Sequence, residues 1–166
     1  VVAFATGFPK ASVRVVLDRR LRLPAAARVY AGVRSVPTWV LTVAEASPAR
    51  QAALRGQGVE IIAVPLDTAG RLDLGAALLR LGERGLTRVL VEGGGRLAAA
   101  LLAAGLVDRL VWMRAPLLLG GDGIPALSAF GLRRLADAPH FTRLADETAG
   151  DDVIETFRVE RFLPSG

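Results

Sequence analysis

The chain has 166 residues, 52% apolar and 22% charged: enough apolar material for one buried core and too much for a disordered chain. It has no cysteine and a single histidine, His140, which excludes disulfides, thiolate zinc sites, a cysteine nucleophile and a histidine-based metal cluster. Its formal charge of +5 is carried almost wholly by arginine, with Lys10 the only lysine; this favours an anionic ligand, while the scatter of the arginines and the lack of a nucleic-acid motif argue against DNA or RNA.

In chain order, Val1 to Phe8 is apolar but short, with no basic leader before it. Val13 to Asp18 is a β-branched run that predicts a strand, followed by a loop through Pro24. Thr38 to Thr42 predicts a second strand, opened by Pro37. Ser47 and Pro48 then read as the N-cap and first residue of a helix running to about Arg55, ended by Gly56 and Gly58. Val59 to Val64 is a third strand. Asp73 begins a helix with an apolar stripe of Leu74, Leu78, Leu79 and Leu81, ended by Gly85.

Arg88 to Glu92 predicts a fourth, buried strand, broken by Gly93-Gly94-Gly95, and Leu97 to Ala104 a small apolar helix closed by Gly105. Val107 to Leu119 reads as a long extended stretch interrupted at Pro116, followed by a structural turn at Gly120 to Gly123. His140 to Asp146 and Asp152 to Phe162 predict a terminal hairpin around Ala149-Gly150-Asp151. Strands alternate with helices to about residue 105 and then dominate. The expected fold is therefore α/β: a sheet flanked by helices, parallel in its first part, with a C-terminal antiparallel hairpin, in a single domain over 1–166. With no apolar run long enough to span a bilayer, the expected location is the cytoplasm, without a membrane partner.

The best candidate site is the run Val89 to Leu97. A strand entering glycines and then a helix lets backbone N–H groups approach a ligand, and the helix start adds free donors, a partial positive charge and the full charge of Arg96. Such a place suits a pyrophosphate, although the run matches neither a dinucleotide fingerprint nor a phosphate-binding P-loop. Glu92, at the end of an apolar strand, requires a partner if it is buried: a hydrogen-bonding substrate, or one of the arginines. His140, Asp151, Asp152 and the serines lack the context of a hydrolase, and Trp39 and Trp112 read as core or interface. Hydride transfer needs neither a nucleophile nor a metal, which fits this residue set.

Several segments in fixed order resemble the reductase domain of the bifunctional riboflavin biosynthesis deaminase/reductase family. They are Val13 to Asp18 leading into Leu21-Arg22-Leu23-Pro24; Gly70-Arg71-Leu72-Asp73-Leu74; Val89 to Gly94; Leu101 to Asp108; and Ala115-Pro116 with Leu118 to Gly121. Together they cover about residues 12–160. The resemblance implies a dihydrofolate-reductase-like fold, NADPH as cofactor and a phosphorylated pyrimidine as substrate, whose ribose is reduced to a ribityl chain. It also implies a homodimer, an expectation to which the apolar stretch Val107 to Leu119 adds. Glu92 matches a substrate-contacting glutamate. Gly93, Gly94, Gly95, Arg96, Leu97 and Ala98 match the loop and helix start that hold the cofactor. Arg19 matches a cofactor-contacting position, where an arginine could pair with the 2′-phosphate that distinguishes NADPH from NADH.

The family's opening Ser-Leu-Asp-Gly strand and its later Asp-Asp-Pro segment are not found, nor is the zinc-dependent deaminase signature. The expectation is therefore a reductase domain lacking its N-terminal strands. A non-catalytic module of the same fold and a related oxidoreductase of another substrate remain open.

Overall fold

The computed structural model describes residues 2–7, 11–129 and 131–160, with 2–7 and 11 described by their backbone alone. The chain divides into two compact units, residues 1–93 and 94–166.

The first unit is a five-stranded sheet with helices on both faces. Its strands are β1 (Val2–Gly7), β2 (Ala11–Leu17), β3 (Thr38–Thr42), β4 (Glu60–Ala63) and β5 (Arg88–Val91), in the spatial order β4-β3-β2-β1-β5. β2, β3 and β4 pair in parallel, with Val15 opposite Trp39 and Leu41 opposite Ile62. β1 runs antiparallel to both β2 and β5, so β5 points the same way as β2.

The near-continuous apolar runs of β2 and β3 follow from burial on both faces. On one face Val13, Val15, Leu41 and Ile62 pack against Ala77 and Leu81 of α2 (Leu74–Gly82). On the other, Val16 and Val40 pack against Leu54 of α1 (Pro48–Gly56), with Leu21 and Tyr30 from the long loop after β2.

The second unit contains α3 (Gly95–Ala103) and a three-stranded antiparallel sheet of β6 (Arg109–Arg114), β7 (Phe141–Ala149) and β8 (Asp152–Val159), in the order β6-β8-β7. The predicted hairpin is β7 and β8, turned by Gly150 at φ +65°.

The mixed α/β architecture is the one expected, with four corrections of detail. Residues 2–7 form a strand that the sequence reading left unassigned, and it lies between β2 and β5. The fourth strand is buried on one face only: Val89 and Val91 pack against the core on the α2 side, whereas Leu90 is 56% exposed on a strand that ends the sheet among the described residues. The extended stretch at 107–119 is a strand only over Arg109–Arg114, because Pro116 cannot donate to a ladder. Ser47 holds the N-cap position of α1 but makes no side-chain cap bond, whereas Asp73 caps α2 by accepting from Ala76 N–H at 2.9 Å. Of the predicted last strand, residues 161 and 162 lie outside the described residues.

Candidate functional site

Parallel strands leave their carboxyl ends, and the loops that follow them, along one edge of a sheet, where ligands of open α/β sheets bind. In the first unit that edge carries Asp18 and Arg19 after β2, Val43 after β3, Pro65 to Arg71 after β4 and Glu92 after β5. Two predicted site residues, Arg19 and Glu92, therefore share the edge. β2 and β5 are separated by β1, which puts the two strands about 10 Å apart across the sheet.

Glu92 is exposed, as the alternation along the edge strand β5 dictates, and takes part in no ion pair among the described residues. The expectation that burial forces a partner on it is thus overturned: water solvates this carboxylate. Arg19 is half-buried and likewise has no ion pair among the described residues. Its Nη1 lies 4.0 Å from where a Cβ on Gly70 would sit. The guanidinium therefore leans over the turn after β4. That turn closes on itself: Asp67 accepts from Ala69 N–H at 2.9 Å, from Arg71 N–H at 2.8 Å and from Arg71 Nε at 3.0 Å. These bonds, led by the Arg71 N–H, hold the Asp67 carboxyl below its usual pKa. Asp67 is thus engaged by its own turn.

The loop carrying Arg19 is pinned. Asp18 is buried, and its Oδ2 accepts from Leu23 N–H at 2.8 Å. Thr42 Oγ1, fully buried, donates to the Arg19 carbonyl at 2.8 Å, and Arg50 Nη1 donates to the Leu21 carbonyl at 2.9 Å. Leu21 is held at φ +51°, the left-handed region that a leucine rarely enters. A cavity of about 290 Å³ opens beside this loop, between Leu23 and Pro24 on one side and Arg50 and Leu54 of α1 on the other.

From Glu92 and Gly93 the chain passes directly into α3. Gly94 is its N-cap at φ +64°, ψ +117°, which only glycine adopts without strain, and no side chain caps the helix. Arg96 is exposed in the first turn; Leu97 and Ala98 are half-buried. Gly95 has a structural cause of its own. A Cβ there would meet the Ala126 and Pro125 carbonyl oxygens at 2.8 and 2.9 Å, and the Gly95 carbonyl accepts from Ser128 N–H at 3.1 Å.

A model of the RibD C-terminal domain matches residues 2–154. The chain belongs to that family. Among curated relatives, the riboflavin biosynthesis protein RibD of Bacillus amyloliquefaciens is 32% identical over 145 residues, covering 87% of this chain and 38% of that protein. The 2,5-diamino-6-ribosylamino-4(3H)-pyrimidinone 5′-phosphate reductase of Methanothermobacter thermautotrophicus is 33% identical over 149 residues, covering 89% of this chain and 66% of that protein. The solved structure of Acinetobacter baumannii RibD superposes with a TM-score of 0.69 at 27% identity, over 88% of this chain and 37% of that one. The chain spans about two fifths of the length of the RibD relatives it matches.

Within this RibD C-terminal domain, the sequence singled out Arg19, Glu92 and the glycine loop as candidates but gave no sign of the hydrogen bonds that Asp18, Thr42 and Arg50 make to the Arg19 loop. Asp18 read only as the polar end of a strand. Thr42 looked like an ordinary β-branched strand residue. Nothing in a local pattern announces a leucine at positive φ.

Proposed function

We propose that this RibD C-terminal domain reduces the ribose of a phosphorylated ribosylaminopyrimidine to a ribityl chain in riboflavin biosynthesis, with NADPH as the reductant. The observation that carries the reading is the family match over residues 2–154, with a relative named as a pyrimidinone 5′-phosphate reductase. The substrate class taken from the resemblance is 5-amino-6-(5-phosphoribosylamino)uracil.

The residues present suit an anionic dinucleotide. Arg19, with no ion pair among the described residues, stands at the carboxyl edge, and the glycine-capped start of α3 carries Arg96 beside backbone N–H donors. Gly93, Gly94, Gly95, Arg96, Leu97 and Ala98 hold the pyrophosphate in this reading, and Arg19 takes the 2′-phosphate. The cavity beside Leu23 is lined mainly by apolar surface of Leu23, Pro24, Ala25, Ala53 and Leu54, which suits a flat apolar ring. When bound, NADPH supplies the hydride, and the protein's task is placement. Exposed and solvated, Glu92 is free to accept hydrogen bonds from substrate hydroxyl or amino groups.

The domain is further proposed to be cytoplasmic and homodimeric, with a small-molecule substrate and no nucleic-acid or membrane partner. No described helix is long and apolar enough to cross a membrane. Exposed apolar residues on β6 and after it, among them Met113 and Leu118, support self-association.

Titration calorimetry with NADPH and NADH tests the reading first. The expected result is binding with a clear NADPH preference, followed by oxidation of NADPH when the uracil substrate is added. Binding without turnover favours the second reading, a cofactor-binding module. That alternative rests on the sequence, in which the Ser-Leu-Asp-Gly motif that the resemblance leads one to expect is not found. A folded chain that binds neither dinucleotide refutes the cofactor reading outright.

A further inference from the structure

The loop after β2 is held more tightly than an arginine-bearing surface turn requires. Asp18 N–H reaches the Leu41 carbonyl at 3.0 Å, and Leu21 N–H closes a turn onto the Asp18 carbonyl at 3.1 Å. Beyond these backbone bonds, three side chains act on consecutive parts of the loop: Thr42 on the Arg19 carbonyl, Arg50 on the Leu21 carbonyl and Asp18 on the Leu23 N–H. The Leu21 side chain is 1% exposed and locked into the core on the α1 face.

Three features disfavour stability. Leu21 at φ +51° occupies a conformation that persists only where the surroundings over-determine it. Asp18 takes a carboxylate into the interior, which is tolerable only because it is hydrogen-bonded. Arg19, Arg20 and Arg22 crowd three like charges into one loop. A loop serving only to connect β2 to β3 has no need of them. A loop that must present a cation in one geometry does, because an arginine whose backbone is already fixed loses less freedom when it binds an anion. Arg19 is such a cation: it has no ion pair among the described residues, and the acid of the neighbouring turn, Asp67, is engaged by Arg71 and by that turn's N–H groups.

We infer that Asp18, Thr42 and Arg50 are positioning residues that lock the Asp18–Leu23 loop, hold the backbone that carries Arg19 at the carboxyl edge and thereby set the preference for a phosphorylated over an unphosphorylated nicotinamide dinucleotide. The inference rests on the reading that Arg19 meets the cofactor's 2′-phosphate.

The test is calorimetric titration of the full chain with NADPH and NADH, with thermal midpoints recorded alongside, for the wild type, Arg19→Ala, Thr42→Val, Asp18→Ala and Asp18→Asn. Arg19→Ala is expected to weaken NADPH binding about tenfold while leaving NADH within about twofold. Thr42→Val, which keeps shape and removes only the hydroxyl donor, is expected to weaken NADPH about fivefold with NADH little changed. Asp18→Ala acts in the same direction, and Asp18→Asn, which retains an acceptor oxygen for Leu23 N–H, restores NADPH binding. If Asp18→Ala fails to fold, Thr42→Val carries the test. Lower midpoints with a wild-type NADPH-to-NADH ratio in Thr42→Val and Asp18→Ala would overturn the inference while Arg19→Ala upholds the cofactor reading. An unchanged ratio in Arg19→Ala overturns both, because there is then no phosphate contact to position.

Discussion

Tyr30 carries the one buried side-chain polar atom among the described residues that lacks a hydrogen-bond partner, its hydroxyl. An unsatisfied buried hydroxyl adds desolvation cost without return, so Tyr30→Phe is expected to leave stability unchanged or raise it by about 1 kcal/mol in urea unfolding at neutral pH. Burial first, and the charge of Asp18 second, push this phenol above its ordinary pKa of 10.0. A group whose folded pKa is raised contributes its stability in full below the unfolded value and loses it as pH rises through the folded one. The wild type should therefore lose stability above about pH 10 more steeply than Tyr30→Phe. The comparison is clean because Tyr30 is the only tyrosine and Lys10 the only lysine. Equal alkaline losses in the two proteins would place the phenol in contact with water. At the same scale, Gly94 is a poor probe of the cofactor contact proposed for the glycine loop: valine at φ +64° brings backbone strain as well as bulk. Arg96→Ala is cleaner, since it removes an exposed charge and leaves the helix start intact.

The three helices end in one way. After α1, α2 and α3 come Gly58, Gly85 and Gly105 at φ +92°, +86° and +65°. The next residue in each case, Val59, Leu86 and Leu106, returns its N–H to the carbonyl five residues back, at 3.1, 3.1 and 3.0 Å. This double turn satisfies carbonyls that the helix leaves open and tucks an apolar residue against the last turn. Gly85 and Gly82 make a contrast, because a Cβ at either meets nothing within 4 Å. Gly85→Ala is expected to cost about 1–2 kcal/mol from the left-handed backbone alone. Gly82→Ala, inside α2, is expected to gain about 0.5–1 kcal/mol. Urea midpoints of the two variants should move in opposite directions, and a shared direction would refute this account of the helix end. These terminators were legible in the sequence because glycine after an apolar stripe is a local signal. The exposure of β5 was not, since Val-Leu-Val reads as buried until the sheet order makes it an edge.

For the molecule as a whole, the second unit leaves much apolar surface open. Met113 is 70% exposed on β6, an edge strand, and Leu118 and Ile124 are close to fully exposed after it. Patches of this kind mark interaction surfaces. If the proposed homodimer uses this one, Met113→Lys should shift light scattering from dimer to monomer with little change in the far-ultraviolet spectrum. A wild type that is already monomeric at micromolar concentration would remove the homodimer.

By itself the sequence determined the alternation of strands and helices after residue 12, the start of α2 at Asp73, the glycine terminators, the terminal hairpin and the family. All of these rest on local patterns or on motifs in fixed order, from Val13-Arg14-Val15-Val16-Leu17-Asp18 to Leu118-Leu119-Gly120-Gly121. The tertiary structure decided what depends on residues far apart in the chain. It set residues 2–7 between β2 and β5, made β5 an edge and left Glu92 in water. It brought Thr42 onto the carbonyl of Arg19, 23 positions away, and Arg50 onto that of Leu21, 29 positions away. Hydrogen bonds between distant residues leave no periodicity in a sequence, so the clamp on the Arg19 loop becomes visible only once the sheet has formed.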